Sequence, residues 1–124
     1  MTKNTKLTLQ ELMKRKEQML SAKKTKATQD LYIKSIDATI TIEEPEAALC
    51  RDANDMEAGE GDKYMCYECI KEPNLKDKEL QEAFGCSSPM DIVEVIFKPG
   101  EIPQIAIECM KLAGYVGGVE AVKN

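Results

Sequence analysis

The run Cys66-Tyr67-Glu68-Cys69 carries the residue spacing in this chain most readily associated with chemistry. Two thiolates two residues apart can form half of a tetrahedral zinc site or exchange a disulfide. A complete zinc site takes a second such pair or His ligands, and the chain has no His; the remaining thiols are Cys50, Cys86 and Cys109. Redox pairs usually sit where a strand turns into a helix, whereas Cys66 and Cys69 fall inside a stretch that reads as helix. The favoured reading is therefore a pair of small hydrophobes on helical positions, with metal binding as the alternative. Five cysteines are an odd number, and the Lys-rich start has no apolar stretch followed by a small-residue cleavage site. Both points favour reduced thiols in the cytosol.

Without imidazole the commonest general base is missing, and so is every triad built on it. Asp52, Asn54, Asp55, Glu57, Glu60 and Asp62 offer hard oxygen to calcium, but no frame supplies acids at positions 1, 3, 5 and 12 with Gly at 6. A solvated helix face followed by a loop explains these acids better. Glu43 and Glu44 are neighbouring carboxylates with no aromatic sugar platform around them. No cofactor is called for, and enzymatic activity is not expected.

The chain has 124 residues, of which 43% are hydrophobic, 31% charged and 5% aromatic, with seven Met and no Trp. That is enough for one core, which should be aliphatic and Met-rich. No apolar run approaches the roughly 18 residues that span a bilayer. Charge is segregated: residues 1–30 hold 8 Lys/Arg against 3 Asp/Glu, a balance of +5, and residues 31–124 hold 9 against 19, a balance of −10. A basic arm is joined to an acidic body. The arm could bind nucleic acid, but it lacks interleaved aromatics and its body would repel phosphate, so nucleic acid is disfavoured as a partner.

In the arm, Thr8 and Glu11 form a capping box, and Leu7 can staple onto Leu12. Leu9, Leu12, Met13, Lys16, Met19 and Leu20 follow at helical spacing as one stripe opposite Lys14, Arg15 and Glu17. Lys23, Lys24, Thr25 and Lys26 then read as a linker. From Asp30 to Glu43 the period becomes two: Leu31 and Ile33 share one phase, and Ile36, Ala38, Ile40 and Ile42 the other. A slipped phase implies a bend near Ser35, hence a short β-hairpin.

Pro45 in a first turn should open a helix reaching about Ala58, closed by a Gly59-Glu60-Gly61-Asp62 loop. Further helices are expected over residues 63–71 ahead of Pro73, and over 75–84, stopping at Gly85. Another follows Ser88 and Pro89; its run of Ile92, Val93, Val95, Ile96 and Phe97 is apolar nearly all round and should lie centrally. The last runs from Glu101 to Ala113 and ends at Gly114. The fold class is thus α+β and predominantly helical, with about five or six helices and one hairpin near residues 30–43. The organisation is an arm and linker over 1–27, a compact domain over 28–116 and a flexible tail over 117–124.

Residues 67–85, from Tyr67-Glu68-Cys69 through Pro73-Asn74-Leu75 to Ala83-Phe84-Gly85, carry a resemblance, together with Pro89-Met90-Asp91-Ile92-Val93 and Phe97-Lys98-Pro99-Gly100-Glu101-Ile102. Over these segments, and over Leu7-Thr8-Leu9-Gln10-Glu11-Leu12 and Ile40-Thr41-Ile42-Glu43, the chain resembles the XkdN-like phage tail assembly chaperones of Gram-positive phages and prophages. The resemblance implies a non-enzymatic cytoplasmic protein that binds the tail tape measure protein, keeps its helices soluble, helps recruit tail tube protein and is left out of the virion. It implies no catalytic residue.

Stripe periodicity places partner binding on Leu9, Leu12, Met13, Met19 and Leu20, with Ile105, Ile107 and Met110 as exposed apolar residues of the last helix. Packing of both stripes into the chain's own core is the competing reading. Self-association is a further option. The alternative functions are a small nucleic-acid-binding or regulatory module using the basic arm, and a thiolate metal protein using Cys66 and Cys69.

Overall fold

The computed structural model describes residues 5–122; the first four residues of the arm and the last two of the tail lie outside the described residues. Among the described residues it holds seven helices and three strands, so the class is α+β and mainly helical. The chain divides into two compact units. One comprises the arm through Lys26 with the tail from Val119, the other runs from Ala27 to Gly118.

In the arm, α1 (Leu9–Lys14) and α2 (Lys16–Lys24) follow each other across Arg15. The Arg15 N–H still reaches the Glu11 carbonyl and the Met19 N–H the Arg15 carbonyl, so the helical ladder is loosened there rather than broken. Thr8 caps the start as its spacing implies: its hydroxyl oxygen accepts from the Glu11 N–H at 3.2 Å. Helix continues through Lys23 and Lys24, where spacing alone suggests a linker; lysines are good helix formers and complement the negative end of the last turn.

The larger unit begins with the hairpin β1 (Thr28–Ile33) and β2 (Ala38–Glu43). Its register pairs Leu31 with Ile40 and Ile33 with Ala38, so the slipped sequence phase is absorbed by the four-residue turn between the strands. Asp37 takes φ 52° there, a geometry Asp tolerates, and the Tyr32 hydroxyl donates to its carboxylate at 2.6 Å. A strand that the sequence pattern does not announce, β3 (Ile70–Glu72), pairs antiparallel with β2, which makes β2 central and leaves Ile42 wholly buried. Residues 70 and 71, expected as the end of a helix, are extended because Pro73 lacks an N–H and disfavours helical geometry before it.

The helices of this unit are α3 (Ala47–Asp55), α4 (Glu60–Cys69), α5 (Lys78–Ala83), α6 (Asp91–Ile96) and α7 (Glu101–Leu112). Pro45 stands one residue before the α3 cap, Glu46, rather than in its first turn. The expected loop at residues 59–62 is instead the start of α4. Gly59 reverses the chain at φ 91°, and the carboxylates of Glu60 and Asp62 suit the positive end of the helix. Asp77 caps α5 by accepting from the Leu80 N–H at 2.9 Å, and Gly85 (φ 68°) and Gly114 (φ 84°) end their helices in left-handed geometry. In α6, Ile92 and Val93 are fully buried but Val95 is exposed, so this helix shows an apolar face and not an apolar circumference.

Helix α4 is the hub, packing on α3, α6 and α7, while α7 also covers β1 and β2. The core they enclose is aliphatic and thiol-rich, not Met-rich: Ile33, Ile40, Ile42, Ile92 and Ile105 meet Cys50, Cys66, Cys69 and Cys109, and Met65 is the buried methionine among the described residues. The reason is the close approach of α4 and α7. The Cys66 Sγ lies 3.4 Å from the Ile102 carbonyl oxygen, so a side chain one carbon long already touches the facing backbone and a methionine would not fit.

Candidate partner-binding surfaces

Cys66 and Cys69 lie one turn apart on α4, pointing into the core and away from solvent. Burial, assisted by Asp62 and Cys69, pushes the Cys66 thiol up to about 12. The Cys109 thiol is also raised, by its hydrogen bond to Cys69 and then by burial. Cys69 sits 3.5 Å from the Met65 sulfur. The same hydrogen bond with Cys109 lowers Cys69, whereas Cys66 and Cys109, held protonated in an apolar interior, are neither nucleophiles nor good metal ligands. Among the described residues no group of three or more His, Cys, Asp or Glu side chains is arranged to hold a metal ion. We expect a thiol reagent at pH 8 to titrate about one thiol per native chain, the half-buried Cys86, and all five after unfolding. Rapid reaction at Cys66 in the native protein would contradict this placement.

Lys63 borders a cleft of about 350 Å3 with Glu94, Phe97, Pro99 and Ile102. Its ammonium donates to Glu94 at 2.6 Å, with Glu60 and Asp91 nearby. The hydrogen bond to Glu94 raises its pKa, so Lys63 is a fixed cation tying α4 to α6 and not an amine nucleophile.

The residues of the sequence-derived stripe are apolar and partly or largely exposed. Helices α1 and α2 bury no residue, and Leu9 (81% exposed), Leu12, Met13 (68%), Met19 and Leu20 all face outward on the spacing of one stripe. On α7, Ile107 is half exposed and Met110 half-buried. Ile105 corrects the sequence reading: at 2% exposure it is core, because α7 lays that face on the hairpin, and a partner cannot reach it.

Ile107 and Met110 instead line a cleft of about 310 Å3 with Met56, Met65, Glu57 and Asp62. Sequence reasoning missed the α3 and α4 side of this cleft. The available signal was two methionines, Met56 and Met65, flanking a run whose acids otherwise suggested only solvation. Met13, Met19 and Met56 are exposed, polarizable side chains.

A family model describing the phage XkdN-like tail assembly chaperone proteins matches residues 2–123. The chain belongs to that family. The tail assembly chaperones are not an enzyme family. No curated protein and no solved structure matches the chain. No helix among the described residues is long and apolar enough to cross a membrane.

Proposed function

We propose that this tail assembly chaperone binds the tape measure protein of its phage, keeps that protein's helices soluble, and promotes assembly of tail tube subunits around it. The work is done in the cytoplasm of the host, and the chaperone is absent from the finished virion. The observation that carries this reading is the amphipathic arm helix, whose Leu9, Leu12, Met13, Met19 and Leu20 are all exposed. Apolar side chains at this spacing are the anchors of helix-in-groove recognition, and a long helical client offers complementary stripes. Ile107 and Met110 provide a second apolar contact on α7.

Co-expression tests it. The tape measure protein should stay in the soluble fraction, and co-purify, only when this chain is present. A tape measure protein that is equally soluble alone, or normal-length tails from a phage lacking this gene, would defeat the proposal.

A further inference from the structure

The arm stripe is not purely apolar. Lys16 lies within it, and Lys23 continues it two turns on from Lys16. Lysine stems lie along apolar surface while their ammonium groups reach past it, so the complementary surface has an apolar floor with carboxylates at the rim. The cleft on the larger unit has that composition: Met56, Met65, Ile107 and Met110 line it together with Glu57 and Asp62. It lies in the most acidic part of the chain, since residues 43–62 hold eight acids and one Arg. Among the residues lining it, Met56 and Ile107 are exposed.

We infer that the arm helix of one copy docks in the Met-lined acidic cleft of a second copy, and that two chains exchange arms. Each chain contributes one basic stripe and one acidic cleft. The contact is therefore satisfied twice in a closed pair, and no unpaired surface remains to extend it. The charge balances of +5 for residues 1–30 and −10 for the remainder draw the unlike parts of two copies together, while the net charge of −5 per chain keeps finished pairs apart. The inference goes beyond client binding and does not depend on it, although an exchanged pair shields the same side chains that a client would cover.

The test is the mass of the full chain by light scattering. At low salt it should be twice 13.8 kDa, falling toward 13.8 kDa in about 1 M salt, where charges act over only about 3 Å. Two charge reversals should each give monomers: Lys16→Glu with Lys23→Glu on the arm, and Glu57→Lys with Asp62→Lys in the cleft. Mixing the two variants should restore the doubled mass, because the acidic arm then meets the basic cleft and the basic arm the acidic one. Circular dichroism checks their folding, and Ile107→Lys replaces the cleft variant if that one unfolds. A wild-type monomer at low salt, a pair that survives both reversals, or a mixture that stays monomeric overturns the inference. So does a cleft that takes only a tape measure helix.

Discussion

Replacing Leu12 and Met19 together by Ser should abolish co-purification of the tape measure protein while leaving thermal unfolding nearly unchanged. Both side chains are already more than a third exposed, so the folded state loses little contact, and exposed substitutions of this kind usually stay within about 0.5 kcal/mol each. A client helix that covers them buries the remainder. Only about 40% of each side chain is left to bury, so losing the two anchors costs about 0.6–1.2 kcal/mol each and weakens binding by roughly 10- to 60-fold. The readout is a pull-down paired with a thermal melt. Retained co-purification would move the client site elsewhere, and a midpoint lowered by more than about 5 °C would mean that the stripe is already buried, in the chain's own core or against a second copy.

Gly61→Ala should be the most damaging single methyl in the protein. Gly61 is buried in the first turn of α4, where a Cβ would overlap the Ala53 carbonyl oxygen and lie 3.1 Å from its carbonyl carbon. The obstacle is the backbone of α3, which cannot rotate aside as a side chain would, so the two helices must separate. Because α4 also packs on α6 and α7, the displacement reaches the core. A loss of about 3 kcal/mol is expected, at the upper end of ordinary overpacking, with a thermal midpoint lower by roughly 10 °C. Gly100→Ala is the control: its backbone is already helical and a Cβ there meets nothing within 4 Å, so it should stay within about 0.5 kcal/mol of wild type. Equal midpoints for the two variants would refute the close-packing account of Gly61.

Local rules written into short stretches are legible in the residues alone. Thr8 with Glu11, Gly85 and Gly114 mark helix ends because caps depend on a few neighbouring backbone groups. The opposed phases of Leu31 with Ile33 and of Ile40 with Ile42 mark a hairpin with its bend between them, since side chains alternate along a strand. The resemblance of the central segments to the tail assembly chaperones is readable for a different reason, that of motif order along the chain.

Other features have no local signature. Pro73 keeps residues 70 and 71 out of a helix, but that they form a strand depends on β2 offering an open edge beside them. Gly61 reads as loop punctuation until α3 is seen against it. Ile105 and Ile107 are chemically identical and two residues apart, so periodicity marks both as apolar but cannot say which one meets the hairpin.

By itself, then, the sequence determined the amphipathic arm, the hairpin, the helix ends, the division of charge and the absence of imidazole chemistry, because each depends on residue type and on spacing within a few turns. Tertiary structure decided that Cys50, Cys66, Cys69 and Cys109 are sealed in the core, that Ile105 is interior, and that Met56, Met65, Ile107 and Met110 share one cleft with Glu57 and Asp62. Those outcomes depend on which helix faces approach one another. That is set by the simultaneous packing of α3, α4, α7 and the sheet, and no window along the chain contains it.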